Sequence, residues 1–281
     1  MIIWLASYPK SGNTLLRSMV SAYFFSKDGK FNFDLLKNIK QFPNNALFEN
    51  LGIDTNNENE VVKNYIKAQV EINKRDGDTI RFLKTHSANY DINGYSFTDL
   101  KNTLGVIYIV RDPRKIINSY ANHSNISLVE AHNRILEVNT LGGKTEQKDK
   151  TVIHAGSWSS NYNSWKVFKK INRYYLVKYE DLVEDPERIF KLVIKFIHEI
   201  SNKNFSIDIK KLNNTINTTT FEYLQNLEKK KTFPESPNTK NAEAKFFKYG
   251  LQNDGKHNVP SELRESIKKS LIKEMSELKY L

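Results

Sequence analysis

Cysteine is absent from the 281-residue chain, which excludes disulfides and thiolate-bound metal centres. No apolar run approaches the ~20 residues that a bilayer-spanning helix needs. Met1 to Ala6 leads at once into Tyr8-Pro9-Lys10, with neither the basic start nor the apolar stretch of a secretory signal, so a cytoplasmic location is expected. Internal repeats and low-complexity tracts are missing too, which counts against a solenoid. Nowhere is there a Gly-x-x-x-x-Gly-Lys-Ser/Thr loop with a companion carboxylate for Mg²⁺, as a metal-dependent P-loop kinase requires.

What is present describes a folded protein. Hydrophobic residues make up 39% and aromatics 12%, enough apolar surface to bury a substantial core. We expect one domain spanning 1–281. Lys and Arg number 43 against 32 Asp and Glu, a formal net charge of +11, which favours an anionic partner. Nucleic acid, anionic lipid, a phosphorylated cofactor and an acidic acceptor all satisfy that balance, and most of the lysines read as solvated surface.

Three short runs rich in β-branched and aromatic residues stand out, Ile2 to Ala6, Ile80 to Leu83 and Leu104 to Val110, with a fourth at Tyr174 to Val177. Continuous apolarity, as opposed to alternation, is what a strand covered on both faces needs. Most of these runs lead through a polar turn into a helical pattern, which predicts β-α units around a central parallel sheet flanked by helices. Helix starts are expected near Thr14, at Asp112-Pro113, at Asp185-Pro186 and at Pro260-Ser261, where a capping side chain or a first-turn proline precedes the apolar period. Lys229 to Lys245 is polar, lysine-rich and without a period, and reads as a surface loop.

The strongest chemical signal is Ser7-Tyr8-Pro9-Lys10-Ser11-Gly12-Asn13-Thr14, set between the first strand and the first helix. The opening amides of a helix point outward without intrahelical partners, the helix dipole favours negative charge there, and Gly12 lets the backbone approach an anion closely. Lys10 adds a full charge, and Ser11, Asn13 and Thr14 add side-chain donors. The second signal is Tyr108-Ile109-Val110-Arg111-Asp112-Pro113-Arg114 with Ser119 following. An arginine at a strand end and a serine on the next helix can grip one phosphate from two sides. The third is Arg81-Phe82-Leu83-Lys84-Thr85-His86. It carries a histidine to the carboxyl end of an inner strand, where ligands of open α/β sheets collect. Histidine is also the side chain best suited to take a proton near neutral pH.

Tyr8-Pro9-Lys10-Ser11-Gly12-Asn13-Thr14 resembles the 5′-phosphosulfate loop of cytosolic-type sulfotransferases, usually Tyr-Pro-Lys-Ser-Gly-Thr-Thr-Trp; Asn13 and Leu15 depart from that form. The resemblance implies a P-loop-like three-layer fold and 3′-phosphoadenosine 5′-phosphosulfate (PAPS) as donor. It gives the 5′ side of the nucleotide to Lys10, Ser11, Gly12, Asn13, Thr14 and Leu15, and the 3′-phosphate to Arg111 and Ser119. The Lys-Thr-His match makes His86 the general base and Lys84, with Lys10, a stabiliser of the transferring group. Tyr179-Glu180-Asp181-Leu182 is similar to the family segment whose tyrosine lies by the adenine, and Thr219-Thr220-Phe221 to a segment near the base. Phe246-Phe247-Lys248-Tyr249-Gly250 is similar to the family's Phe-x-Arg-Lys-Gly, which closes over the 3′-phosphate; Lys248 and Tyr249 stand where arginine and lysine are usual.

The reaction expected on this basis is in-line displacement at sulfur, transferring a sulfuryl group to a hydroxyl or amine of a small-molecule acceptor. No metal is implied, since lysines supply the positive charge that Mg²⁺ supplies in phosphoryl transfer. A nucleic-acid-binding module is the other reading of the basic charge, but it would interleave aromatics with a basic stripe, whereas these basic residues gather at strand ends. The acceptor pocket is expected from residues 20–75, 87–100, 140–160 and 225–245, and no motif there names the acceptor.

Overall fold

A computed structural model of the chain describes residues 1–74, 80–142, 151–231, 233, 246–247 and 259–281. Strand β1 (Ile2–Ala6) is buried at every position because both of its faces are covered. Ile2, Trp4 and Ala6 enter one apolar layer, and Ile3 and Leu5 the other, as the two-residue period of a strand requires. The remaining strands in chain order are β2 (Lys40–Gln41), β3 (Arg81–Thr85), β4 (Asp91–Ile92), β5 (Tyr95–Ser96), β6 (Thr103–Val110) and β7 (Tyr174–Lys178).

Five of these form one sheet in the order β2-β3-β1-β6-β7, with every pairing parallel. The chain builds β2 and β3 on one side of β1 and then crosses to β6 and β7 on the other. A topological switch point therefore lies at the carboxyl end of β1. Helices Asn13–Phe25 and Pro186–Ile200 cover the Ile3/Leu5 face through Leu16, Met19, Val20, Phe190, Val193 and Ile194. Helices Pro113–Ser124, Trp158–Trp165 and Ser261–Ser270 cover the opposite face through Ile116, Tyr120, Trp158, Trp165 and Ile267. The result is a three-layer α/β arrangement. No helix among the described residues is long and apolar enough to cross a membrane.

The expected helix starts are present. Asp112 accepts a hydrogen bond from the Arg114 amide with Pro113 in the first turn, and Asp185 does the same for Arg188 ahead of Pro186. The helix expected from Pro260-Ser261 runs Ser261–Ser270, breaks at Leu271 and resumes as Ile272–Glu277. Polar β2 and the β4–β5 hairpin, turned by Asn93 and Gly94 at positive φ, have no apolar run to announce them. The surface segment expected from Lys229 to Lys245 begins later, since helix Phe221–Lys230 extends to its first residues; residues 232 and 234–245 lie outside the described ones.

Candidate active site

The loop after β1 is shaped by two residues in the left-handed region, Lys10 at φ 63 and Gly12 at φ 99. Helix Asn13–Phe25 then begins with no side-chain cap at Gly12, so its first amides face the loop. A Cβ at Gly12 would lie 2.3 Å from Tyr179 Cδ2, which makes glycine obligatory there on both conformational and steric grounds. Asn13 is turned inward: its amide nitrogen donates to the Leu5 carbonyl at 2.9 Å and to Ser7 Oγ at 3.1 Å. Its nitrogen thereby staples the first helical residue to the strand end, so it is not a donor directed at the loop. Asn13 Oδ1 and Ser11 Oγ are both buried without a hydrogen-bond partner among the described residues.

His86 stands beside this loop because β3 pairs with β1 up to Ala6 opposite Thr85, and the Ser7 amide donates to the Thr85 carbonyl at 3.2 Å. Its Nδ1 lies 3.0 Å from the Ser7 carbonyl and 3.1 Å from Ser7 Oγ. A carbonyl only accepts, so the contact is satisfied with the proton on Nδ1, and the basic lone pair then sits on Nε2. The His86 carbonyl accepts from Asn161 Nδ2 at 2.9 Å, and the same side chain accepts from the Tyr108 hydroxyl on β6 at 2.8 Å. Lys84, two residues back, shares the face of Phe82 and is almost fully buried.

On the other side of β1 the register pairs Val110 of β6 with Lys178 of β7, which brings the next residues, Arg111 and Tyr179, together. The Arg111 guanidinium lies over the Tyr179 ring, 4.4 Å from its centre. Ser119 lies in the second turn of Pro113–Ser124 and is half-buried. Above the loop, the Lys10 ammonium sits 4.1 Å from the centre of the Phe246 ring, and His123 packs edge-on against the same ring. Phe246 and Phe247 are fixed by Glu228, whose carboxylate accepts both of their amides at 2.7 and 3.0 Å.

Against known proteins, the sulfotransferase domain profile matches residues 2–279. The chain belongs to the sulfotransferase domain family. Mouse (Mus musculus) sulfotransferase 2A6 is 25% identical over 112 residues, an alignment covering 40% of this chain and 37% of that protein, so the match spans little more than a third of the relative's length. The fold resembles the crystal structure of mouse sulfotransferase SULT7A1 complexed with PAP, at TM-score 0.59 and 16% identity, over 98% of this chain and 84% of that one. It also resembles retinol dehydratase in complex with retinol and PAP, at TM-score 0.60 and 14% identity, over 98% and 81% of the two chains. The P-loop-like fold expected from the sequence is thus the fold found.

Within this sulfotransferase fold, Lys10, Ser11, Gly12 and Thr14 of the loop, Lys84 and His86, Arg111 and Tyr179 gather at the carboxyl ends of β1, β3, β6 and β7, and Phe246 reaches Lys10 from above. Leu15 is half-buried between two apolar clusters. Thr219 donates back to the Thr215 carbonyl and Thr220 caps helix Phe221–Lys230, whereas the Phe221 ring packs on Phe247 next to Phe246. Lys248, Tyr249 and Gly250 lie outside the described residues. Sequence reasoning missed the helix that supports the site: Trp158 Nε1 donates to the Arg111 carbonyl at 3.2 Å, Asn161 to His86, and Trp165 Nε1 to the Ser87 carbonyl at 3.1 Å. Its only announcement is a Ser157/Ser160 capping box ahead of the two tryptophans. Three of the segments expected to wall the acceptor pocket touch one another. The Ala88 amide donates to the His154 carbonyl, His154 faces Glu58 at 3.2 Å, and Asn93 donates to Asn59.

Proposed function

We propose that the chain is a PAPS-dependent sulfotransferase that moves a sulfuryl group to a hydroxyl or amine of a small-molecule acceptor in the cytoplasm. The observation that carries this reading is the pairing of two anion-gripping positions on strands that flank the switch point. One is the glycine loop after β1; the other is Arg111 stacked on Tyr179 after β6 and β7. A nucleotide with phosphates at both ends of its ribose fits that pair. The fit is supported by the buried Ser11 hydroxyl at the loop, unpartnered among the described residues, and by the closeness of Gly12 to Tyr179, where any larger residue would fill the cradle.

In this reading the loop amides, Lys10, Ser11 and Thr14 hold the 5′ side, Arg111 with Ser119 holds the 3′-phosphate, and Tyr179 lies by the base. Leu15 and the Phe221 and Phe246 region wall the nucleotide, with Thr219 and Thr220 supporting them and Lys248, Tyr249 and Gly250 completing the 3′ side. PAPS would supply an activated sulfuryl group. His86 accepts the acceptor's proton on Nε2, because Nδ1 donates to the Ser7 carbonyl. Lys10, held over Phe246, and buried Lys84 place positive charge where negative charge grows on the departing phosphate and on the transferring group.

Calorimetric titration with adenosine 3′,5′-bisphosphate, adenosine 5′-phosphate, ATP with Mg²⁺ and an oligonucleotide tests this. The bisphosphate should bind best, and Arg111→Ala should weaken it by about tenfold or more, the worth of a charge-assisted contact, while leaving adenosine 5′-phosphate nearly untouched. Preference for ATP with Mg²⁺ would indicate a kinase, and preference for the oligonucleotide a nucleic-acid-binding module. Equal losses for both adenosine ligands would remove Arg111 from the 3′-phosphate.

A further inference from the structure

The peptide unit between Arg111 and Asp112 is held at both of its polar ends. Its carbonyl accepts from the Trp158 indole at 3.2 Å, and its N–H donates to Glu180 Oε1 at 3.0 Å. Fixing that plane fixes the direction in which the Arg111 side chain leaves the strand. Glu180 in turn is held from the far end of the chain: the Tyr280 hydroxyl donates to Glu180 Oε2 at 2.9 Å.

Tyr280 is itself anchored on three sides. Arg114, paired with Asp112 through two nitrogens at 3.0 and 2.7 Å, also donates to the Tyr280 carbonyl at 2.8 Å. The Lys178 ammonium lies 4.5 Å from the centre of its ring. Lys279, at φ 56, turns the chain out of helix Ile272–Glu277 toward this corner, and the Tyr280 amide closes onto the Met275 carbonyl at 2.8 Å. That short helix is fixed to the helix that supports Arg111, through Tyr162 and Lys166 to Glu277 and Asn163 to Glu274. Tyr280 thus touches Lys178 and Glu180, the chain neighbours of Tyr179, and Arg114, which pairs with Asp112, the chain neighbour of Arg111.

From this geometry we infer that Tyr280 is a positioning residue for the nucleotide's 3′-phosphate, acting through Glu180 on the Arg111–Asp112 peptide. The inference rests on Arg111 gripping that phosphate as proposed above. Burial, reinforced by the neighbouring Glu180 carboxylate, raises the Tyr280 phenol well beyond its ordinary range, so the hydroxyl stays protonated and donates throughout the working pH range. The link sharpens selection for a nucleotide carrying a second phosphate and contributes nothing to holding the 5′ side, which the loop after β1 supplies.

The test compares wild type, Tyr280→Phe, Glu180→Ala and Glu180→Gln for binding of adenosine 3′,5′-bisphosphate and adenosine 5′-phosphate, with a melting curve for each. Tyr280→Phe keeps the ring on Lys178 and the carbonyl for Arg114, and removes only the donor to Glu180. The bisphosphate should weaken about fivefold, a loss typical of one hydrogen bond to a charged group transmitted in part, with adenosine 5′-phosphate within twofold and the melting temperature nearly unchanged. Glu180→Ala should reproduce the selective loss even where Tyr280→Phe is too unstable to titrate. Glu180→Gln should restore most of the binding, because an amide still accepts from Asp112 and donates to the phenol oxygen. Equal weakening of both ligands with a lowered melting temperature, or no weakening at all, overturns the inference while the sulfotransferase reading stands. A wild-type protein that fails to prefer the bisphosphate overturns both, and that arm needs no variant.

Discussion

His86 is held at its main chain by Asn161 and at its ring by Ser7. Its main-chain anchor does not depend on its side chain, so removing the imidazole should leave the strand ends in place and take away only the proposed proton acceptor. We expect His86→Ala and His86→Asn to lower kcat by ~10²-fold or more, as loss of a general base does, with bisphosphate affinity within about twofold of wild type. Steady-state kinetics with labelled donor alongside calorimetry checks this, and a variant that keeps its turnover would make His86 a structural residue. Its position after a run of inner-strand residues was readable from Arg81 to His86 alone. The tautomer was not, because it depends on a carbonyl 79 residues away. Asn13 shows the same limit: as a polar residue at a helix start it looks like a ligand donor, and only the fold reveals that the Leu5 carbonyl and Ser7 hydroxyl take its Nδ2 donor.

The elements that were legible are those whose own residues carry the reason for their form. β1, β6 and β7 read as continuous apolar runs because both faces are covered, and the helices at Pro113 and Pro186 read from an aspartate and a proline. β2 is two polar residues paired to β3 and leaves no local signature, while the capping box of helix Trp158–Trp165 marks the helix but not its role, which lies in what it reaches across the molecule. Where the loop after β1 meets the end of β7, one position carries both kinds of information. Gly12 is visible in sequence as a phosphate-loop glycine, and in space it is the only residue that fits under Tyr179. Gly12→Ala would force a Cβ to 2.3 Å from Tyr179 Cδ2 and 3.2 Å from Ile109 Cδ1 at φ +99. Tyr179 must then move, and with it the surface on which Arg111 rests. The substitution should cost roughly 1–3 kcal/mol of stability in urea unfolding and weaken the bisphosphate more than tenfold, both measurable on the same preparation. Wild-type values for both would mean that the ring yields freely and that the cradle does not depend on it.

At the scale of the whole molecule, the first and last elements share one core. β1 contributes Ile2, Trp4 and Ala6 to the same apolar layer that receives Ile267 and Met275 from the last two helices and Leu271 and Leu278 from the residues that end them. The five-stranded sheet closes the remaining distance, since β1 lies at its centre between β3 and β6 and joins β2 and β3 to β6 and β7. An intermediate that kept one half folded would expose the faces of β1 that the other half covers, at about 25 cal/mol for each Å² of apolar surface returned to water. We therefore propose that residues 1–281 unfold as one cooperative unit. The three tryptophans, Trp4, Trp158 and Trp165, all sit in that shared layer, whereas helices Asn13–Phe25 and Pro186–Ile200, on the other face, contribute to the far-ultraviolet signal. Tryptophan fluorescence and circular dichroism thus weight different layers, and under one cooperative transition their melting curves should coincide. Adenosine 3′,5′-bisphosphate at a hundred times its Kd should move both curves upward together by the equivalent of about 2.7 kcal/mol, because the strand ends proposed to hold it belong to elements from both halves of the chain. Two separated transitions, or a shift confined to one probe, would show that the halves fold independently and that the site is assembled at a boundary between domains.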